Sequence, residues 1–448
     1  MKNLRLKSTI ALSLALSACS LAPQYQRPQI AMPPGWSNVA GVGASDQPAT
    51  VPFWQELGSE ELNKLMKLAL AQNLDLEAAL YRIDQARAQT RIAGSSLFPQ
   101  IEASGGASRS FQDPRNVSTA RGIGSISYEA DLWGRNRSNR TAANYRAEAT
   151  AFDRDALELV VTADTADFYS QVLSLNVRIR IAESNLKNAE EVLRIIEARY
   201  KAGSVSGLEV SQQRVAVNSF RASLASLNQQ RSTTLNALAI LLGQAPQNLQ
   251  TPRETLTSLK VPDVNLTPPA TLLTARPDIE RAEASLRAAN ADIGAARAAF
   301  FPSLNFGLDA SIAAGFGGPA ATAVSLASSA LAPIFTGGRL TGNLEDVTAR
   351  QKELAAQYQK TVLLAFQEVE DALASYRNAN EQAAISRESV KESQAAYDIA
   401  KARFDAGAID YLTLLETQRS LYQAQDNQIA VYQDQIASFV QLRKALGA

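Results

Sequence analysis

Arg403-Phe404-Asp405-Ala406-Gly407-Ala408-Ile409-Asp410-Tyr411-Leu412 has a twin half a chain earlier, Arg199-Tyr200-Lys201-Ala202-Gly203-Ser204-Val205-Ser206-Gly207-Leu208. In each copy an aromatic residue and a glycine close one long amphipathic run, and a second run opens within a few residues. Glycine adopts the left-handed conformation that ends a helix, so Gly203 and Gly407 predict two tight αα-turns. Their offset is 407 − 203 = 204, and Leu242-Gly243 recurs at the same offset as Leu446-Gly447. Upstream, Asp75 recurs as Asp278 and Phe98-Pro99 as Phe301-Pro302, at 203. A period of that size exceeds the roughly 20 to 50 residues of a solenoid repeat. The chain is a duplicated, domain-sized unit.

Outward from the tips run long helical patterns. Leu157, Val161, Phe168, Val172, Leu175, Ile179, Ala182, Leu186, Ala189, Leu193, Ile196 and Tyr200 keep a four-three spacing, interrupted by Asp164. Leu354, Tyr358, Val362, Phe366, Val369, Leu373 and Tyr376 repeat it in the second copy. Such a seam predicts coiled-coil packing, with helices from about 136 to 202 and 340 to 406, each roughly 100 Å long. Shorter helices are expected near 75–97, 208–242, 278–300 and 412–446.

Between helices the period changes to two. After Phe98-Pro99, Ile101, Ala103, Gly105 and Ala107 alternate with polar or small residues, and Ile126, Tyr128, Ala130 and Leu132 do so after a loop containing Asp113-Pro114. Leu304, Phe306, Leu308, Ala310 and Ile312 repeat the pattern, and a weaker strand is expected over 322–335. Pro99, Gly134, Pro302 and Gly337 mark the helix–strand junctions, with hairpins over 99–133 and 302–335. Strands of about ten residues can cross a bilayer at a tilt. Four of them leave two open edges, which lipid does not tolerate, and small closed barrels start at about eight strands. Closure therefore needs several chains, and three would supply about twelve strands. The fold class expected is mainly α with a small transmembrane β part. It combines a long coiled-coil helical barrel with a β-barrel closed by trimerisation.

The first 18 residues read as a secretion signal: Lys2, Arg5 and Lys7 precede a short apolar run from Ile10 to Leu16. Their removal takes 44 basic residues to 41 against 44 acidic ones, about −3. Leu16-Ser17-Ala18-Cys19 resembles the bacterial lipobox, whose cysteine is acylated, palmitate being a usual chain. Cys19 is the only cysteine, and Ser20 after it resembles lipoproteins routed to the outer membrane. Residues 19–58, rich in proline, read as a lipid-anchored strap. The first repeat spans 59–243 and the second 278–448, and a proline-rich linker of the equatorial region, 244–277, joins them.

Composition excludes several classes. The chain holds no histidine and a single cysteine, which removes the usual base, nucleophile and zinc ligands. Gly315-Phe316-Gly317-Gly318 lacks the Lys-Ser/Thr of a phosphate loop. Basic and acidic residues are interspersed, so no nucleic-acid stripe is present. The chain reads as no enzyme, with no cofactor and no metal beyond a covalent lipid on Cys19.

Leu16-Ser17-Ala18-Cys19, Asp131-Leu132-Trp133-Gly134-Arg135, Ala275-Arg276-Pro277-Asp278-Ile279, Ala298-Ala299-Phe300-Phe301-Pro302-Ser303 and Tyr411-Leu412-Thr413-Leu414-Leu415-Glu416-Thr417-Gln418-Arg419-Ser420-Leu421 together resemble the TolC-like outer-membrane factors, in their NodT/OprM-type lipoprotein branch. The resemblance covers essentially the whole chain. It implies a homotrimeric channel-tunnel in the outer membrane of a Gram-negative bacterium, extending into the periplasm. Its implied partners are a periplasmic adaptor and an inner-membrane transporter of the resistance–nodulation–division type. The function expected is passive export of drugs or other toxic small molecules. The alternative is the exit duct of a type I protein-secretion system.

A conduit needs a gate, and the tips are its natural place. Leu412 and Glu416 lie four apart, on one helical face. Three copies would form an apolar constriction and a carboxylate ring favouring cations, and the resemblance places a selectivity carboxylate at Glu416. Asp405 and Asp410 are expected to cap or solvate the turn. Some relatives latch the gate with Tyr and Arg where this chain has Phe404 and Ile409, and Thr413 replaces a second acid. Adaptor contact is expected at exposed Ser204, Val205 and Ser206 in one tip and Ala408 and Ile409 in the other.

Overall fold

The computed structural model describes residues 21–37, 43–44, 51–111, 117–315 and 319–448. The signal segment, Cys19, the Asp113-Pro114 loop and Phe316-Gly317-Gly318 lie outside them. In chain order the elements are β1 (Gly43–Ala44), α1 (Phe53–Glu56), α2 (Glu60–Gln72), α3 (Leu74–Ser95), β2 (Gln100–Ser110), β3 (Val117–Ala130), α4 (Arg135–Lys201) and α5 (Gly207–Leu241). Then follow β4 (Asn265–Leu266), α6 (Leu272–Ala275), α7 (Pro277–Ala298), β5 (Ser303–Gly315), β6 (Ala321–Leu331), α8 (Arg339–Asp405) and α9 (Tyr411–Leu446). By compactness the chain divides into one unit of residues 1–30, 79–153 and 278–361 and another of 31–78, 154–277 and 362–448. Each unit takes material from both repeats.

The first unit holds one antiparallel sheet in the order β2-β3-β5-β6, in which the β3–β5 pairing joins the two hairpins. Register aligns Ile101, Ile126, Leu308 and Leu326 across the four strands. One residue along, Glu102, Ser125, Asp309 and Ser325 align in the same way. Side chains alternate across a sheet, so one face is apolar and the other polar. Both are largely uncovered: on one Ile101 is 77% exposed and Leu326 82%, and on the other Glu102, Asp309 and Ser325 are exposed. Two details depart from the sequence reading. β3 begins at Val117, eight residues before the alternation near Ser125, because residues 117–124 carry no clear period of two and pairing with β2 defines them. β6 ends at Leu331 rather than near 335, since Pro333 has no amide to donate to a ladder.

The corner Asp131-Leu132-Trp133-Gly134-Arg135 is built around its own side chains. The Asp131 carboxylate accepts from the Asn136 and Arg137 amides at 3.0 and 2.9 Å, satisfying the first turn of α4. Arg135 pairs with Glu129, and Trp133 donates to the Pro302 carbonyl at 2.8 Å while stacking on Phe301. Gly134 and Gly337 both have positive φ, and Pro99 and Pro302 each separate a helix from its strand.

In the second unit β1 pairs in parallel with β4, and Trp36 donates to the Thr267 carbonyl at 2.8 Å, so strap and linker are joined. Within 19–58 the short helix α1 follows directly after Pro52. Val161, Val172, Leu175, Ile179, Ala182, Ala189 and Ile196 are buried along α4, and Val362, Val369, Leu373 and Tyr376 along α8. Tyr200, expected to close the first seam, is 51% exposed, whereas its counterpart Phe404 in the second repeat is buried.

The duplication reappears as matched capping. Helices ending at Gly203, Gly243, Gly407 and Gly447 all close by the same pair of backbone bonds, for example Gly243 N to Ile240 O and Gln244 N to Ala239 O. The Asn73 amide donates to the Leu241 carbonyl at 2.9 Å, and Arg276, 203 residues later, donates to the Ala445 carbonyl at 2.9 Å. A β-carbon on Gly243 would overlap the Gln72 carbonyl oxygen, and one on Gly447 the Ala275 carbonyl oxygen. Gly203 has the same backbone sign but open space around it. Gly203→Ala should therefore cost about 1 kcal/mol from the left-handed backbone alone, and Gly243→Ala about 2–4 kcal/mol, in denaturant unfolding of the two variants side by side.

Candidate functional site

The tips form from the ends of α4, α5, α8 and α9 within the second unit. Val192 and Ile196 on α4, Val210 on α5, Phe404 on α8 and Tyr411, Leu414 and Leu415 on α9 are buried in one cluster. Each turn is built locally. Ser206 caps α5, and Glu209 returns its carboxylate to the Ser206 amide, completing a capping box. Asp410 caps α9 by accepting from the Thr413 amide at 2.8 Å, and those bonds from Thr413 hold its carboxyl below the usual range. Asp405 pairs with Lys401 at 3.2 Å.

Two contacts absent from the sequence reading tie the hairpins together. The Arg199 guanidinium stands 4.4 Å over the Phe404 ring and donates to the Phe404 carbonyl at 3.3 Å. Phe404 thus keeps a cation partner through its π face where a phenol is missing. The buried Tyr411 hydroxyl donates to Gln213, whose amide donates to the Ala189 carbonyl at 2.6 Å. This relay runs from α9 through α5 to α4, and burial pushes the Tyr411 phenol up to about 12. Arg199 and Gln213 carry no motif that sequence could flag. Only the fold makes them neighbours of Phe404 and Tyr411.

Of the expected gate residues, Leu412 is 51% exposed and Glu416 is exposed, while Tyr411, Leu414, Leu415 and Gln418 take the buried side. Leu412 and Glu416 therefore share the outward face of α9. Ser204 and Ala408 are exposed. Val205 and Ile409, expected among the exposed tip contacts, are instead half-buried against the cluster, because the turns fold their apolar residues back. Ser206 is exposed but occupied as a cap. Gln418 is 3% exposed, and neither its amide oxygen nor its nitrogen has a hydrogen-bond partner. Of its neighbours one turn away, Leu414, Leu415 and Leu421 can offer none, and the Tyr422 hydroxyl is engaged with Ser223 at 2.8 Å. Among the described residues no group of three or more His, Cys, Asp or Glu is placed to hold a metal ion. Among them also, no helix is long and apolar enough to cross a membrane.

Comparisons with known proteins identify the family. The model of the family described as outer membrane efflux protein matches twice, over residues 65–244 and 269–448. The chain belongs to the outer membrane efflux protein family. It is an outer-membrane efflux channel protein of Gram-negative type that extends into the periplasm. It is 39% identical to the pyoverdine export outer membrane protein OpmQ of Pseudomonas aeruginosa, over 100% of this chain and 97% of that protein. To the toluene efflux pump outer membrane protein TtgF of Pseudomonas putida it is 35% identical, over 98% and 96%. The solved outer-membrane channel OprN superimposes with a TM-score of 0.87 at 27% identity, covering 96% of this chain and 99% of that one. The two family matches coincide with the duplication, so each repeat of this efflux channel is one copy of the family unit.

An orphaned buried amide destabilises the seam around it, and removing its polar groups while keeping its bulk relieves the penalty. Gln418→Leu should raise unfolding stability by about 1–3 kcal/mol. Gln213→Leu should lower it by breaking the Tyr411 relay; thermal melts of both variants check the pair.

Proposed function

We propose that three copies assemble into a channel-tunnel whose β-barrel crosses the outer membrane. The observation that carries this reading is the sheet: four strands with two free edges, β2 and β6, and an apolar face turned to no protein. In lipid such edges need partners, and threefold symmetry joins β6 of one copy to β2 of the next. The resulting barrel has about twelve strands, within the range known for closed barrels. In this assembly the strap 19–58 carries the lipid on Cys19, the repeats 59–243 and 278–448 form the walls, and 244–277 forms an equatorial belt.

The conduit then works with a periplasmic adaptor and an inner-membrane transporter of the resistance–nodulation–division type. Ser204 and Ala408, the exposed tip residues, would meet the adaptor first. Val205, Ser206 and Ile409 would support them from the turns Gly203 and Gly407. Leu412 and Glu416 from three copies would form the aperture, an apolar ring one turn from a carboxylate ring. The cargo class is small molecules. The relatives' names, one for pyoverdine export and one for toluene efflux, support that class.

Two measurements test the reading. In planar bilayers the wild type should pass cations in preference to anions, and Glu416→Gln should lose most of that preference; an unchanged reversal potential removes Glu416 from the aperture. Ala408→Cys, cross-linked in living cells, should capture an adaptor identifiable by mass. Capture of sibling copies alone would refute docking at the tip.

A further inference from the structure

In the first unit the strap lies along one face of α7. Residues Glu283, Arg287, Asn290, Gly294 and Arg297 are spaced four, three, four and three, a single stripe of the helix. Each meets the strap in turn. Arg297 donates to the Leu21 carbonyl at 3.3 Å, and Asn290 donates to the Pro23 carbonyl at 2.7 Å. A β-carbon on Gly294 would lie 2.7 Å from Ala22 Cβ and 2.9 Å from Ser138 Oγ, so glycine provides the clearance. The Arg287 guanidinium covers the Tyr25 ring at 5.4 Å. Glu283, 5% exposed, accepts from Tyr25 at 3.3 Å and from Arg27 and Arg287. Burial alone would raise the Glu283 carboxyl, but hydrogen bonds from Arg27 and Arg287 outweigh it and hold it below the usual range.

These contacts fix register as well as adhesion. The strap advances from 21 to 27 while α7 recedes from 297 to 283, so a slip by one residue would move Ala22 off Gly294 and Arg27 off Glu283. The membrane-proximal consequence follows from the chain order. α7 ends at Ala298 and β5 starts at Ser303, so Leu21 is held beside the end of α7 that leads into the sheet. Cys19 precedes Leu21 by two residues, a reach of at most about 7 Å. Without these contacts the next side-chain anchor of the strap is Gln359 on α8, which donates to the Gln29 carbonyl at 3.3 Å, and a free tether of that length would wander by about 17 Å.

We propose that this face of α7 is a docking rail that sets the level at which an acyl group on Cys19 enters the membrane, beside the start of β5. The proposal rests on the reading of Cys19 as acylated.

The test uses the full-length acylated chain in liposomes with Leu21→Cys as the one reactive thiol, labelled with a fluorophore. Lipids carrying a quencher just below the headgroups should quench it strongly. Gly294→Leu should at least halve that quenching and speed hydrogen exchange of residues 21–30 tenfold or more. Glu283→Gln, which keeps the shape and removes the charge, should speed the same exchange; it serves where Gly294→Leu does not fold. Quenching and exchange unmoved in these variants would overturn the rail. An unmodified N-terminal peptide mass in the wild type would instead overturn the lipid reading, and the proposal with it.

Discussion

Backbone groups need hydrogen-bond partners, and most of this molecule is an answer to that demand. Four helix ends close by the same pair of left-handed glycine bonds, at Gly203, Gly243, Gly407 and Gly447. Two of those ends are further sealed from outside the helix, by Asn73 on the Leu241 carbonyl and Arg276 on the Ala445 carbonyl. The sheet meets the same demand only in part. Its two inner strands are paired on both sides, while β2 and β6 each keep a free edge. A single copy is therefore complete at its helix ends and incomplete at its sheet, which is where assembly has to supply the missing partners.

The repeat and the compact units divide the chain differently. Duplication predicts two equal halves, yet each unit draws on both, because α4 and α8, with 67 residues each, run on from one unit into the next. Equivalent positions keep equivalent jobs even where the residue type has changed. Asn73 and Arg276 are unlike in charge and size, but both donate to a last-turn carbonyl. Arg276 also pairs with Glu368 at 2.6 Å, which gives the buried cation a partner that the neutral Asn73 does not need.

At the tips stabilising and destabilising contacts share one seam. Arg199 on Phe404 and the Tyr411–Gln213 relay hold α4, α5, α8 and α9 together. Gln418 works against them with two unsatisfied polar groups in the same seam. A buried amide without partners makes this packing shallower than an all-apolar seam would be. The outward face of α9, with Leu412 and Glu416, is left uncovered because the opposite face does the packing.

The sequence by itself determined the duplication, the tip turns, the long helices and the alternation of the strands. These are local properties: glycine conformation, a 3.5-residue seam and a period of two are legible wherever they occur. It also singled out the Asp131–Arg135 corner, without saying that Asp131 caps α4 or that Trp133 reaches Pro302. Tertiary structure alone decided which apolar tip residues remain exposed, since Val205 and Ile409 fold back onto a cluster drawn from four helices. It alone decided the partners of Arg199, Gln213 and Glu283, which lie up to 258 residues away in the chain. Side-chain contacts across such separations leave no periodic trace in sequence, because their geometry exists only once the helices have packed.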